Sequence, residues 1–393
     1  MQLRTSQSSI LWRQVWGLSA ILAAVMFSWM AYSLYQPKIL QELGFVKLAA
    51  WLGIIQGLMG AVLEPLVGGV SDKIQRRFGS RLPMITTGVT VAGLIFVATS
   101  ILLRWQIPVG IRWIVPVLMT LWVMSMIVFR GPVVALLRQA APLAALPQAN
   151  MVLTVIFGLV GALSPLMTIF LNSAGASITF ILGAIALTIG ATVLYSSTPR
   201  HVLFSTPESI QSPISLFLIS IIFAFGLGIG LEINLLLRVF PQIIQPSLNS
   251  INTDLIVSII LFISALSVFP TAKLTIKLGV KPTMRLGLLA ILVCLGLLVF
   301  HPGGIFAIVL ILVAGVSFGL IFESQIPLIL GIMPCDRAGL ATGLYFGGMG
   351  TASAIVSILQ QSATPVTPIV EFFWCGISFA IVLLCLTINK TQI

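Results

Sequence analysis

Long apolar runs follow one another along almost the whole 393-residue sequence, separated by short polar connections. A run of 18 or more apolar residues is long enough to cross a bilayer as a helix. We count twelve such runs, at 14–36, 46–70, 84–103, 112–138, 150–171, 175–195, 213–238, 253–272, 283–300, 304–330, 338–360 and 368–388. Only 7% of the residues are charged, against roughly a quarter in soluble proteins. The sequence therefore predicts an all-α polytopic membrane protein with twelve transmembrane helices.

Two internal repeats divide the predicted spans into two sets of six. Residues 200 positions apart correspond in the first repeat: Lys73, Arg77, Gly79 and Arg81 match Lys273, Lys277, Gly279 and Lys281. Residues 189 positions apart correspond in the second repeat: Ala149, Phe157, Gly158 and Gly161 match Ala338, Phe346, Gly347 and Gly350. We predict an N-terminal half over 1–196, a short cytoplasmic linker over 197–212 and a C-terminal half over 213–393. Parallel repeats of this kind predict pseudo-symmetric halves with a substrate site between them, near the bilayer midplane.

The basic residues gather on alternate connections, which indicates how the protein is oriented. The side of the connection after the second span holds fourteen of them: Arg4, Arg13, Lys73, Arg76, Arg77, Arg81, Arg138, Arg200, Lys273, Lys277, Lys281, Arg285, Arg337 and Lys390. The opposite side holds five: Lys38, Lys47, Arg104, Arg112 and Arg238. We therefore expect both termini in the cytoplasm, and a protein of the plasma (inner) membrane in contact with the lipid bilayer. Because the cations are spread over many loops, the net charge of +11 does not indicate nucleic-acid binding.

Sequence patterns for catalysis or cofactor binding are absent. The phosphate-cradling pattern Gly-x-x-x-x-Gly-Lys-Ser/Thr does not occur, so ATP is not expected to drive the protein directly. His-Glu-x-x-His and Ser/His/Asp arrangements do not occur either, and the two His and four Cys have no metal-ligand spacing. The sequence predicts neither an enzyme nor a protein with a cofactor or metal, and we expect a monomer.

The most specific motif follows the second span. It consists of Gly68, Asp72 and Lys73 in a Gly-x-x-x-Asp-Lys turn, followed by Arg77 and Arg81. This turn resembles the signature loop of the major facilitator superfamily, and the form Ser71-Asp72-Lys73 with Arg77-Phe-Gly-Ser-Arg81 resembles its sucrose and glycoside cation-symporter branch. The resemblance implies a secondary transporter for a small organic solute, with sugar-like solutes as one class. Val134 and Gln139 stand where that branch carries Arg and Asp in the fourth helix.

The resemblance also implies a role for the turn itself. The family places the acid of this motif beside the start of span eleven, which lies near Ala338 here. A carboxylate at that position would accept hydrogen bonds from free backbone N–H groups at the positive end of a helix. Arg77 and Arg81 would keep the carboxylate ionised. We predict that Gly68, Asp72, Lys73, Arg77 and Arg81 form a conformational latch that closes the cytoplasmic side.

Four charged side chains fall inside predicted spans: Glu64, Arg130, Glu232 and Glu323. Each costs about 2.5–3.5 kcal/mol at the centre of a bilayer helix and so needs a reason. Our hypothesis is that Arg130 pairs alternately with Glu64 and Glu323, and that the unpaired carboxylate takes up a proton. The alternative is a static ion pair that fixes helix packing.

Glu232 is followed six residues later by Arg238, which is a possible counter-ion at the outer mouth. It also lies among Gly226, Gly228 and Gly230, which indicate either a gating break in the seventh span or close helix packing.

Seven further side chains are candidates for the substrate cavity: Trp29, Tyr32, Gln56, Asn150, Asn234, Gln325 and Tyr345. The uncharged polar ones would suit a neutral hydroxylated solute as a group, although each alone fits an interhelical hydrogen bond. Trp29 and Tyr32 fit either stacking on a sugar or packing. The leading hypothesis is a proton-coupled transporter that works by alternating access. The alternatives are a drug or metabolite efflux antiporter and a non-transporting assembly or pigment-handling factor of the same fold.

Overall fold

The computed structural model describes residues 9–105, 107–199, 215–248, 251–298, 300, 303–361 and 368–387. These residues form thirteen α-helices and no strand: α1 (Trp12–Glu42), α2 (Val46–Phe78), α3 (Leu82–Arg104), α4 (Ile114–Ala135), α5 (Leu137–Ala140), α6 (Leu146–Ala162), α7 (Ser164–Ser197), α8 (Leu216–Ile244), α9 (Thr253–Leu278), α10 (Val280–Leu298), α11 (Gly304–Ile332), α12 (Ala338–Gln361) and α13 (Pro368–Thr387). Twelve segments are long and apolar enough to cross a membrane. Arg4, Arg200, Lys390 and most of the predicted linker lie outside the described residues.

The second span is longer than predicted, because the basic turn is largely helical. α2 continues to Phe78 and carries Asp72 and Lys73 on its last turns. Arg76 and Arg77 in the final turn suit the negative end of the helix dipole. Gly79 then ends the helix with a φ of 72°, a conformation that glycine adopts without a steric penalty.

The fifth and sixth spans are joined by a reversal inside α7. Gly175 has a φ of 79° and a ψ of 162°, outside the helical region. The Thr179 hydroxyl reaches the carbonyl of Leu171 at 3.4 Å, whereas a continuous helix would separate residues eight apart by about 12 Å. The fifth span is therefore α6 continued by residues 164–174, with a one-residue break between the two helices at Leu163. The predicted break between 171 and 175 is present, but the span begins at Leu146, four residues before the predicted start.

The internal repeats appear as matching helix ends and matching helix crossings. Gly279 separates α9 from α10 with a φ of 92°, as Gly79 ends α2. In the other repeat, Gly158 of α6 faces the carbonyl of Leu261 in α9, and its equivalent Gly347 of α12 faces the carbonyl of Ala61 in α2. Each half thus sends one helix against the other half at an equivalent position, as expected of pseudo-symmetric halves.

Small residues bring α2 and α12 into close contact. A Cβ added to Gly68 would overlap the carbonyl of Gly339, and one added to Gly343 would overlap the carbonyl of Glu64. Helices in a bilayer associate through close backbone packing, because lipid tails are as apolar as Leu. This contact places the acidic residues of α2 directly against α12.

Inside the N-terminal half, a column of stacked rings joins α1, α4, α3 and α7. Tyr32 stacks on Trp122 and Trp122 on Phe96, each at 4.6 Å between ring centroids. Phe96 stacks on Phe180 at 4.9 Å. All four rings are buried, so the column is the packed core of this half.

Replacing Gly190 by alanine should destabilise the N-terminal half. A Cβ at Gly190 would lie 2.9 Å from the Cα of Ile21 in α1, and a backbone atom cannot move aside as a side chain can. Overpacking of this kind costs about 1–3 kcal/mol, so the midpoint of thermal unfolding in detergent should fall by a few degrees. Gly93→Ala in α3 is the matched control, because no heavy atom lies within 4 Å of a Cβ there. Equal midpoints for the two variants would contradict the close contact of α7 with α1.

Candidate functional site

A cavity of about 380 Å³ lies between the two halves. Its walls come from α1, α4 and α6 of the N-terminal half and from α8, α11 and α12 of the C-terminal half. The lining side chains that carry a polar atom are Trp29, Arg130, Asn150, Thr154, Gln325 and Tyr345. All the other lining residues are aliphatic, Met or Phe. The cavity is therefore an apolar chamber with a few polar groups and one charge at its surface.

That charge belongs to an ion pair between Arg130 and Glu64. The guanidinium donates a hydrogen bond to Oε1 of Glu64. The Glu64 side chain is fully buried, whereas 26% of the Arg130 side chain is exposed. The guanidinium carbon also lies 4.5 Å from the ring centroid of Phe346 and 5.9 Å from that of Trp29. Arg130 thus faces the cavity, and Glu64 lies behind it, next to α12.

Glu323 has different partners from those of the hypothesis. The Thr271 hydroxyl of α9 donates to its Oε2 at 2.9 Å, and its Oε1 has no hydrogen-bond partner among the described residues. Asn150 of α6 donates to the backbone carbonyl of Glu323 at 2.9 Å. Two acids were predicted to share Arg130. Among the described ion pairs, Arg130 is paired with Glu64 and not with Glu323. The exchange between the two acids stays a prediction.

Glu232 is fully buried, and neither carboxylate oxygen has a hydrogen-bond partner in the described part of the chain. The expectation that Arg238 is its counter-ion was wrong, because Arg238 pairs with Glu371 of α13 at 3.4 Å. Six residues along a helix turn the side chain by about 240°, so the two residues of α8 point to different neighbours.

The glycines around Glu232 pack closely in an unbroken helix. Cβ atoms at Gly226 and Gly230 would collide with the α12 backbone, and one at Gly228 would collide with Val382 of α13. α8 is helical from Leu216 to Ile244. Close packing is therefore the arrangement observed here, and a gating break stays a prediction.

The seven cavity candidates divide into four that line the cavity and three that do not. Trp29, Asn150, Gln325 and Tyr345 line it, and the Tyr345 hydroxyl donates to Oε1 of Gln325 at 2.8 Å. The others have partners elsewhere: Gln56 donates to the Tyr32 hydroxyl at 2.6 Å, and Asn234 donates to the Gly230 carbonyl at 2.7 Å.

Thr154 and Phe346 are two of the lining residues that sequence reasoning missed. Thr154 lies one turn after Asn150 on α6 and accepts a hydrogen bond from it at 3.2 Å. Phe346 lies next to Tyr345 and covers Arg130. Helical periodicity could have found Thr154, because positions four apart share a helix face; no sequence signal indicated the ring over Arg130.

At the cytoplasmic end, Asp72 joins α2 to the start of α12. Its two oxygens accept hydrogen bonds from the backbone N–H groups of Gly339 and Leu340, each at 2.8 Å. The fully buried Arg81 guanidinium pairs with Asp72 and donates to the Ser71 hydroxyl at 3.2 Å.

The contact of Asp72 with the start of α12, which the motif predicted, is thus present. Fewer of the five predicted latch residues surround Asp72 than expected. Gly68 lies against Gly339. Lys73 and Arg77 are exposed, and Arg77 lies over the ring of Phe78. The expectation that Arg77 holds Asp72 ionised was therefore wrong, because it lies near the helix end on the solvent side. Arg76 instead adds an ion pair with Asp336 across the two halves, at 3.7 Å.

The described residues contain no group of three or more His, Cys, Asp or Glu side chains that could hold a metal ion.

No model of a known protein family matches the chain. Solved structures do resemble it over nearly its full length. The human organic anion transporter MFSD10 (TETRAN) has a TM-score of 0.68 at 13% identity, over 96% of this chain and 99% of that chain. The major facilitator superfamily proton:xylose symporter XylE, bound to 6-bromo-6-deoxy-D-glucose, has a TM-score of 0.68 at 13% identity, over 96% and 94%. A bacterial homologue of the iron transporter ferroportin, in an outward-facing state, has a TM-score of 0.66 at 16% identity, over 95% and 98%. The predicted fold is confirmed: an integral, multi-pass, all-α protein with the major facilitator fold.

Glu64→Gln and Glu232→Gln are the same chemical change with opposite expected effects on stability. At Glu64 the change leaves the Arg130 guanidinium without its partner, and removing one member of a buried pair costs about 3–5 kcal/mol. At Glu232 it replaces a carboxyl group that has no charged partner among the described residues. The thermal unfolding midpoint in detergent at pH 7 should fall for Glu64→Gln and stay level or rise for Glu232→Gln. Equal losses would show that Glu232 has a compensating charge after all.

Proposed function

We propose that the protein is a secondary active transporter that moves a small organic solute across the membrane by alternating access. The observation that carries the proposal is the cavity between the halves, walled by three helices from each and holding the Arg130–Glu64 pair at its surface. An ionisable pair within the bilayer is costly and marks a pathway far more often than a scaffold. This argues against a non-transporting assembly or pigment-handling factor.

The contacts at one end of the molecule support alternating access. Asp72 with Gly339 and Leu340, and Arg76 with Asp336, hold α2 to the start of α12. We propose that these contacts close the cytoplasmic side and that their release opens the cavity inward. The assignment of this side, and of both termini, to the cytoplasm of a plasma (inner) membrane is supported by the bias of basic residues.

We propose that protons are the coupling ion. Glu64 is paired with Arg130 here, whereas Glu323 has no ion pair with a cation among the described residues, and each acid keeps one oxygen without a hydrogen-bond partner there. A carboxylate that loses its cation in an apolar environment becomes neutral by binding a proton. Transfer of Arg130 from one acid to the other during the rocking motion would therefore link proton binding to conformation. Glu232 is a second proton-binding candidate, because it is buried without a partner in the described chain.

The fold is compatible with many solutes and with either direction of transport. The similar structures are named for an organic anion, for xylose with protons and for iron, and one fold supports many substrates. Membership of the sucrose and glycoside cation-symporter branch is supported by the motif around Asp72 alone. The apolar cavity wall favours a second candidate, an antiporter for apolar drugs or metabolites.

Glu323→Gln should uncouple solute movement from proton movement. Proteoliposomes that contain a pH-sensitive dye would be screened with sugars, amino acids, aromatic acids and cationic dyes. A transported solute should acidify the lumen for the wild-type protein and not for Glu323→Gln, because the amide cannot bind the proton. Glu371→Gln, in the first turn of α13 and outside the cavity, is the matched control and should behave as wild type. Proton-coupled uptake that survives in Glu323→Gln would remove Glu323 from the coupling step.

Asp72→Asn should shift the protein toward an inward-open state without abolishing solute binding. The change weakens two charge-assisted hydrogen bonds to the α12 backbone and leaves Arg81 unpaired. Loss of such bonds is worth roughly tenfold or more in an equilibrium. A cysteine placed at Thr154, on the cavity wall, should react about tenfold faster with a membrane-impermeant thiol reagent added from the cytoplasmic side.

Lys73→Gln is the control for this labelling experiment, since Lys73 is exposed one residue away. Its labelling rate should equal that of the Thr154→Cys background. An unchanged rate in Asp72→Asn would count against the latch.

A further inference from the structure

We infer that the cavity binds an amphipathic monoanion, that is, an apolar body carrying one acid group, with the acid group on Arg130. The inference rests on the proposed transport function, because it names the solute class for the same cavity. It differs from the neutral hydroxylated solute that the sequence suggested.

The first argument is the chemistry of the polar groups at the cavity. Arg130 is a cation with donors only, and 26% of its side chain is exposed. The indole N–H of Trp29, a lining residue, is a buried donor with no acceptor among the described residues. Oε1 of Gln325 already accepts from Tyr345, which leaves the amide nitrogen of Gln325 as a donor. Donors thus outnumber acceptors at this surface.

The hydrogen-bond donors of the remaining polar side chains are already engaged. The amide nitrogen of Asn150 donates to the backbone carbonyls of Phe322 and Glu323, and the Thr154 hydroxyl donates to the carbonyl of Phe322. An acid group only accepts hydrogen bonds, so it matches an excess of donors. A sugar hydroxyl also donates, and its unpaired donors would weaken binding in a dry cavity.

The second argument is the rest of the wall. Met26, Met30 and Met349 are flexible side chains that adapt to irregular apolar ligands, and Phe157 and Ile326 complete an apolar surface beside them. A volume of about 380 Å³ lies in the range of pockets that hold drug-sized molecules. An apolar body gains affinity from burial against such a wall, whereas a polyol would lose its hydration without enough new partners.

The third argument is the charge balance. Arg130 is already neutralised by Glu64, so a bound monoanion would add an uncompensated negative charge to an apolar cavity. Neutrality returns if the acid group of the solute replaces Glu64 on Arg130 and Glu64 takes up one proton. One O–H bond forms at Glu64, and no electrons are transferred. Binding would then carry one proton with each anion.

The surroundings of Glu64 allow this exchange. Arg130 of α4 is the charged group that acts on Glu64, and α12 presents the uncharged Thr342 hydroxyl and the Gly343 backbone. Tyr345 of α12 is close enough to Arg130 and Glu232 for their charges to act on it.

The test uses 1-naphthoate and 1-naphthamide, which share one apolar body and differ in charge. Isothermal titration calorimetry of the purified protein, in two buffers of different ionisation enthalpy, gives both the affinity and the protons taken up. Naphthoate should bind at least roughly tenfold more tightly than naphthamide, the gain expected of a charge-assisted hydrogen bond. It should take up about one proton per molecule bound, as the charge balance requires. Glucose at the same concentrations should give no signal.

Two variants separate the roles of the pair. Glu64→Gln should keep naphthoate binding and lose the proton uptake, because the amide cannot titrate. Arg130→Gln should remove the preference for naphthoate over naphthamide. Glu371→Gln, outside the cavity, should match the wild type. If either variant does not fold, the affinities of the wild type for the acid and the amide, and its proton uptake, still decide.

Equal affinities for naphthoate and naphthamide, no binding of naphthoate, or tighter binding of glucose would overturn the inference and leave the proposed transport function intact. Binding of naphthoate without proton uptake would overturn the exchange at Glu64. Failure of the transport function is distinguishable from these results: no solute of any class would cross proteoliposomes under any imposed gradient, even where naphthoate binds.

Discussion

The close contact of α2 with α12 is the interaction on which the rest of the site depends. Gln56, Gly60, Glu64, Gly68 and Asp72 lie four residues apart on one buried stripe of α2, because positions four apart share a helix face. The glycines of this stripe let the α12 backbone approach without obstruction. That approach brings Asp72 within hydrogen-bond distance of two backbone N–H groups and places the Glu64 backbone against Gly343. The same stripe of residues therefore determines both how α2 packs against α12 and where its acidic groups lie.

The two acids of this stripe sit at two depths of the bilayer, about 12 Å apart along the helix. Asp72 joins the two halves directly, whereas Glu64 pairs with Arg130 inside the N-terminal half and is covered by α12. Movement of α12 away from α2 would break the first interaction and uncover the second. A rigid helix that carries both groups can thus link closure of one side to the charge state of the cavity, which is the two-state element that coupling requires.

The sequence predicted features that depend on position along the chain, and it failed on features that depend on direction around a helix. Apolar runs and basic loops fix depth, so the twelve spans and the acid-bearing turn at Asp72 were found. Depth alone could not show that Tyr32 and Gln56 face the aromatic core of one half, or that Arg238 turns toward Glu371. Those outcomes depend on which neighbour each helix face meets. The break between the helices at Leu163 was missed because the apolar pattern continues through it.

The motif around Asp72 and the wall of the cavity carry different kinds of information. Asp72 contacts the α12 backbone and Arg81 pairs with Asp72, and neither residue lines the cavity. A motif of this kind constrains how the two halves meet, and a resemblance in it says little about the solute. The wall combines a partly exposed guanidinium, further hydrogen-bond donors and methionine-rich apolar surface. Desolvation is costly for any polar group that is left without a partner. A solute in this cavity would therefore be selected by how well its polar groups match those of the wall. The solute class of the proposed transporter therefore depends on Arg130 and its neighbours, even though the loop resembles that of sugar symporters.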